Sequence, residues 1–221
     1  MENRVQKIEI RHVYKSFQKR EVLKDVSMEC SAGRIYGIVG HNGSGKTVLF
    51  KCICGFFQCS KGEILVDGKA MGKDLDMLEH AGIIIEEPGF LRRWSGYRNL
   101  EFLYTIGHSN RKEYLFEILR KVGLDPNSSM PVGKYSLGMR QRLAIAQAIM
   151  DDPAVLILDE PMNGLDKNGV EEMRRLFLKL KEDGRLIILA SHNREDIEVL
   201  CDEVYEMENG VLSKTEKRRA G

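Results

Sequence analysis

No stretch of this chain is long and apolar enough to cross a bilayer. Apolar runs such as Ile83-Ile84-Ile85 and Leu186-Ile187-Ile188-Leu189-Ala190 are strand-sized, well short of the ~18 residues a spanning helix needs. The start, Met1-Glu2-Asn3-Arg4, lacks the apolar core of a signal peptide. Charge of one sign is also missing: 34 basic against 33 acidic residues leave a net charge of +1. There is then no global field for gripping nucleic acid or an anionic membrane. The basic end from Lys214 to Arg219 reads as a solvated tail. The five cysteines are scattered and odd in number. Cys52 and Cys54 fall two apart on an expected helix, so they point to different faces. With no His or Cys cluster to complete a metal site, reduced core thiols in a reducing compartment are expected. Neither an internal repeat nor a guanine-reading Asn-Lys-x-Asp run is present. The expectation is a cytoplasmic chain with no nucleic-acid partner and no membrane span of its own.

What is present is chemically specific. Residues 40–47 read Gly40-His41-Asn42-Gly43-Ser44-Gly45-Lys46-Thr47, a complete Gly-x-x-x-x-Gly-Lys-Thr phosphate loop. The β-prone run Arg34 to Val39 leads in, and the helix-like run Val48 to Ile53 leads out, the context this motif requires. Its glycines let consecutive N–H groups curl around a phosphate, and the following helix adds its positive end. Lys46 is expected at the β- and γ-phosphates, and the Thr47 hydroxyl at Mg²⁺. A nucleoside triphosphate is the expected ligand.

The length of 221 residues suits one α/β domain with room for an insertion. Ile8 to Arg11 and Val22 to Met28 alternate in the β manner, and Glu63 to Gly68 is a short strand closed by a turn. Ala81 to Ile85 is a continuous apolar run of the kind buried on both faces. From Asn99 to about Met150 the pattern turns helical, with Leu115, Ile118, Leu119 and Val122 at three- and four-residue spacing. Strands are expected again at Ala154 to Leu158 and at Arg185 to Ala190, with a helix from Asn168 to Glu182 between them. Strands alternating with helices argue for a mostly parallel sheet.

The run Val155 to Leu158 ends in two adjacent carboxylates, Asp159 and Glu160. Strand C-termini of a parallel sheet line the ligand crevice, so both belong beside the phosphate loop. Asp159 suits the metal shell, directly or through water, and Glu160 suits a polarising general base for the attacking water. Ser136 and Gly138 open an apolar-periodic helix, where a hydroxyl and free N–H groups make either an anion site or a simple cap. His192, directly after an apolar strand, reads on its own as a surface histidine or a proton-handling group. Phe17 is either core or a stacking face for a base.

Together these segments resemble the ATP-binding-cassette (ABC) ATPases, the nucleotide-binding subunits of ABC transporters. The resemblance spans nearly the whole chain. Beside the phosphate loop and Asp159-Glu160-Pro161, Tyr135-Ser136-Leu137-Gly138-Met139-Arg140-Gln141-Arg142 resembles the family signature, Asn163-Gly164-Leu165-Asp166 its D-loop, and Ser191-His192 its switch histidine. The resemblance implies a phosphate-loop (RecA-like) fold: a mostly parallel sheet with an antiparallel β-subdomain and an inserted helical subdomain. It implies one domain over 1–221, with an ATP-binding core at 1–90 and 151–221 and a helical signature subdomain at 91–150.

It implies ATP and Mg²⁺ as cofactors. The site residues are then Phe17 on adenine, Gly40 through Val48 on the phosphates, and Thr47, Glu86 and Asp159 toward the metal. Lys46, Glu160 and His192 fall to catalysis. Ser136, Gly138 and Asp166 would serve the nucleotide of a second subunit, most simply an identical chain. A separate transmembrane permease is the implied partner, holding the chain at the inner face of the membrane.

Three positions depart from the family pattern. Glu86, in Ile85-Glu86-Glu87-Pro88, stands where most members carry Gln. The signature keeps only the serine and second glycine of Leu-Ser-Gly-Gly-Gln. The D-loop begins with Asn163-Gly164 instead of a serine-alanine pair. Glu86 and this signature resemble the bacitracin-resistance branch, which implies export of, or immunity to, a peptide antibiotic. Leu91-Arg92-Arg93-Trp94 lies where family members receive a permease helix; Trp94 is either a docking residue or packed inside the helical insertion. The rival readings are a soluble ABC ATPase serving a cytosolic partner such as an iron–sulfur scaffold, a GTPase switch, and a nucleotide-binding module without turnover.

Overall fold

Alternation along the two N-terminal runs builds an antiparallel pair, β1 (Lys7–Phe17) and β2 (Arg20–Ser31). Ile8, Ile10, Val13, Leu23, Val26, Met28 and Cys30 are their buried face. The computed structural model describes residues 5–18, 20–86 and 89–215. The expectations for Met1 to Arg4, for Glu87 and Pro88, and for the tail beyond Thr215 lie outside the described residues. Lys214, read as part of that tail, instead belongs to the last strand and pairs with Glu203 at 2.7 Å.

β3 (Ile35–Val39) leads into the phosphate loop, and α1 (Lys46–Ile53) leaves it. β4 (Lys61–Val66) and β5 (Lys69–Ala70) return to the first pair, giving an antiparallel sheet ordered β2-β1-β4-β5. β6 (Ala81–Ile84) precedes three helices, α2 (Gly96–Tyr104), α3 (Lys112–Lys121) and α4 (Leu137–Ile149). β7 (Val155–Asp159), α5 (Lys167–Glu182), β8 (Leu186–Ala190), α6 (Arg194–Leu200), β9 (Glu203–Glu208) and β10 (Val211–Thr215) complete the chain. The second sheet runs β10-β9-β3-β8-β7-β6; every pair is parallel except β9 with β10.

The central strands of this sheet are apolar throughout because both their faces are covered. Ile35, Leu156, Leu158, Ile187 and Leu189 enter one core with residues of α4, α5 and α6. Their alternates Tyr36, Ile38, Val155, Ile157, Leu186 and Ile188 enter another with α1 and the antiparallel sheet. The period of two along each strand sorts side chains between the layers.

Two expectations need correction. β6 is not buried on both faces: it is the edge strand, and only Gly82 and Ile84 are buried. Nor is the helical pattern continuous from Asn99 to Met150. Gly123 (φ +73°) ends the turn after α3, and Pro126 and Pro131 keep residues 122–136 irregular apart from one 3₁₀ turn at Val132–Lys134. α6, β9 and β10 had no counterpart in the sequence reading. α6 is only seven residues long and forms because the Asn193 side chain caps it, accepting from the Glu195 N–H at 2.9 Å.

Candidate functional site

The phosphate loop leaves the C-terminal end of β3 against β9. A Cβ on Gly40, whose φ is +154°, would collide with the Met207 carbonyl and stand 2.9 Å from the Ser44 hydroxyl, so only glycine fits. No side chain caps the start of α1, and its first turn holds no acidic residue. Its leading N–H groups are therefore left for an anion. The Lys46 ammonium is curled onto the Gly40 and His41 carbonyls at 2.7 and 3.2 Å. The Ser44 hydroxyl is buried without a hydrogen-bond partner among the described residues. An orphaned hydroxyl, a lysine on loop carbonyls and uncapped amides form a fitting cradle for a phosphate.

The two carboxylates at the end of β7 face different partners. The Thr47 hydroxyl donates to Asp159 Oδ2 at 2.7 Å. Glu160 turns the chain in the left-handed region, φ +49°, and this kink sends its side chain another way. Glu160 Oε2 lies 2.8 Å from His192 Nδ1 and accepts from the His192 backbone N–H at 3.3 Å. His192 is held by a braced turn. The buried Arg174 guanidinium donates to Asp196 Oδ1 from Nε at 2.8 Å and from Nη2 at 2.6 Å, tying α5 to α6 just past residue 192.

Between these groups opens a cleft of about 550 Å³, the size of small-molecule sites. Phe17, Asn42, Gly43, Gly45, Lys46, Thr47, Val48, Glu86, Asp159 and Glu160 line it together. Among the described residues no three His, Cys, Asp or Glu side chains converge as a metal site. One hydroxyl and one carboxylate nevertheless fit a hard cation that draws its remaining ligands from phosphates and water, as Mg²⁺ does. Phe17 is not core: it is 40 % exposed and packs edge-on against Phe57 at 5.3 Å. Glu86, expected near a metal, pairs instead with Lys51 Nζ at 2.6 Å.

Ser136, Gly138 and Asp166 do not line this cleft. Ser136 caps α4, accepting from the Met139 N–H at 3.1 Å, and Asp166 caps α5 through Gly169. The tyrosine of the signature is buried and accepts from the Gly96 N–H at 3.2 Å, so α2 and the signature are joined at their starts. Burial raises the Tyr135 pKa above its ordinary value, which keeps the phenol neutral. Leu137 is packed on Gly164, where φ is +78° and a Cβ would strike the leucine. The large residue in the signature and the glycine in the D-loop are thus one packing arrangement.

Arg20, Gln141 and Asn163 also line the cleft, and Lys51 holds Glu86; Gln141 and Asn163 stand in the signature and D-loop segments but carried no site role of their own, and Arg20 and Lys51 were not singled out. Arg20 stands three positions after Phe17, a proximity that was legible. Gln141 is three residues past Gly138 but is brought in by donating to the Pro161 carbonyl at 2.9 Å, a contact across 20 positions.

The parallel sheet and this cleft define a phosphate-loop nucleotide-binding protein. The family model described as "ABC transporter" matches residues 23–163. The Bacillus subtilis ABC transporter ATP-binding protein YybJ is 39 % identical over 210 residues, spanning 95 % of this chain and 96 % of its own. The lantibiotic transport ATP-binding protein SrtF of Streptococcus pyogenes is 36 % identical, over 88 % of this chain and 84 % of its own. The bacitracin transport ATP-binding protein BcrA of Enterococcus faecalis is 36 % identical, over 93 % and 67 %. Among solved structures, the dimeric post-hydrolysis ATP-binding cassette MJ0796 bound to ADP and Pi superposes with a TM-score of 0.85. It is 20 % identical, over 96 % of this chain and 100 % of that one, a likeness of fold. The chain belongs to the ABC transporter ATP-binding proteins, a family of ATPases.

Proposed function

We propose that this chain binds Mg·ATP in the cleft, closes on a second copy of itself, and reopens when the ATP is hydrolysed, driving a separate membrane permease. The observation that carries the reading is the division of labour at the end of β7: Asp159 on Thr47, and Glu160 on His192. Phe17 offers adenine an exposed π-face, and the 40–48 segment holds the phosphates with backbone N–H groups and Lys46. Thr47 and Asp159, with Glu86 joining them, would hold Mg²⁺, which neutralises charge building on the transferring phosphoryl group. Glu160 takes the proton of the attacking water, and His192 orients Glu160 and reaches the γ-phosphate. Ser136, the cap of α4, and Gly138 in its first turn complete the site of the opposing subunit, with Asp166 at the contact. Nucleotide is then the joint between two subunits.

An apolar strip supports the permease as partner. Leu91 is 44 % and Phe102 50 % exposed, and half-buried Trp94 stands edge-on to Phe102 at 5.6 Å with the Arg98 guanidinium 4.8 Å from its ring centre. Aromatic and arginine side chains of this kind anchor partner helices. SrtF and BcrA are named for lantibiotic and bacitracin transport; for this chain the proposal is export of, or immunity to, a peptide antibiotic, from the inner face of the membrane. A soluble role with a cytosolic scaffold has no comparable support. Glu160→Gln should leave ATP binding intact and trap a dimer in gel filtration with saturating ATP. A variant that stays monomeric there would refute the sandwich, and failure to co-purify with membranes carrying the permease would refute the transport role.

A further inference from the structure

Glu86 adds a third carboxylate to a cleft that must accept a triphosphate, beside Asp159 and Glu160 and against Lys46 and Arg20 as the lining cations among the described residues. Its backbone is held in the left-handed region, φ +66°, which a glutamate adopts at a cost. Its carboxylate is held by Lys51 at 2.6 Å, a charge-assisted contact. Lys51 sits four residues after Thr47 on α1, so the two side chains project from the same helix face about 6 Å apart. The Glu86 carboxylate is therefore parked one helical turn from the Thr47–Asp159 pair. Lys51 also lies 5.5 Å from the centre of the Phe57 ring, which packs edge-on against Phe17, itself a lining residue of the cleft.

We propose that Lys51 is a positioning residue that withholds Glu86 from the cation site until nucleotide arrives, so that Glu86 has two partners and exchanges one for the other. The inference rests on the reading of Glu86 as a ligand of the nucleotide-bound cation. Without nucleotide, Lys51 neutralises the carboxylate and keeps Glu86 in its left-handed conformation. When the cation enters beside Thr47, the same carboxylate crosses one turn of α1 to meet it, and the Glu86 backbone is released from its left-handed conformation. A neutral amide at position 86 has no comparable hold on Lys51, which gives the departure from the family pattern a physical purpose.

The test uses the full chain as wild type, Lys51→Met, Lys51→Arg, Glu86→Gln and the Lys51→Met/Glu86→Gln double variant. Methionine keeps the stem over Phe57 and removes only the charge. With no nucleotide or metal, hydrogen exchange at the Ile85, Glu86, Gly89 and Phe90 amides should rise about 2- to 5-fold in Lys51→Met, the scale of an exposed ion pair. It should return to the wild-type rate in Lys51→Arg. In ATP titrations at fixed nucleotide, the Mg²⁺ midpoint for binding should fall by about the same factor in Lys51→Met. It should not move when Lys51→Met is added to Glu86→Gln. Unchanged loop exchange in Lys51→Met, or an undiminished shift in the Glu86→Gln background, overturns the proposal while leaving Glu86 as a ligand. A wild-type Mg²⁺ midpoint in Glu86→Gln itself overturns the reading of Glu86 as a ligand, and the proposal with it.

Discussion

Replacing Arg174 with methionine should cost far more than an ordinary change on the solvent side of a helix. Arg174 is 8 % exposed and Asp196 1 %, and two short N–H···O contacts of 2.8 and 2.6 Å converge on one oxygen of that carboxylate. Among the described residues its other oxygen accepts from the Ser191 hydroxyl at 3.5 Å, close to the limit for a useful hydrogen bond. Methionine fills much of the arginine's space but leaves a buried carboxylate without its cation. Breaking a buried pair in this way costs about 3–5 kcal/mol. The outer contact from Arg174 to Glu195, at 3.0 Å, adds little because that glutamate is 70 % exposed.

Urea unfolding followed by circular dichroism, with fluorescence of the single tryptophan as second probe, measures the loss. In a chain of this length the melting temperature should drop on the order of 10 °C. Adding Asp196→Leu to Arg174→Met should restore most of the stability, since a buried ion pair is commonly replaced by apolar groups at little cost. A loss below about 1 kcal/mol in Arg174→Met would place the contact with exposed ion pairs and refute the reasoning. So would failure of the double variant to recover.

Gly164→Ala should be destabilising and should lower ATP turnover by at least an order of magnitude. The added Cβ meets Leu137 at a left-handed position, and the cost there is about 1–3 kcal/mol. The double variant Gly164→Ala/Leu137→Gly should regain activity, and equal defects in single and double variants would separate the two departures again. Among the cysteines, Cys59 should alkylate first under native conditions near neutral pH. Its thiol accepts a hydrogen bond from Cys52 and feels the Lys15 ammonium, which lower its pKa, whereas burial raises those of Cys30 and Cys54. Cys59 is also the one cysteine that is not fully buried. Peptide mapping after limited iodoacetamide labelling decides this, and preferential labelling of Cys30 or Cys54 would contradict it.

Chemistry that is contiguous in sequence could be read from the chain alone. The Gly40 to Thr47 loop acts through backbone groups of neighbouring residues, so its spacing is its geometry. The unbroken apolar runs Val155 to Leu158 and Leu186 to Ala190 likewise read as short strands, because a strand covered on both faces has no polar alternates. The same logic misjudged β6. An apolar run says that burial is available, but only the strand order says which strand ends at the edge.

What the tertiary structure decided are contacts between residues far apart in the chain. Asp159 and Glu160 are adjacent, yet one meets Thr47 and the other His192, because the chain kinks at Glu160 where β8 lies alongside. Lys51 and Glu86 are 35 positions apart and Arg174 and Asp196 are 22 apart. Leu137 and Gly164 look like two unrelated departures until their surfaces touch. Side-chain type fixes what a group can do, and the sequence states it directly. Which partner the group does it with depends on distances that exist only after β7, β8 and α1 have packed into one sheet and its covering layer.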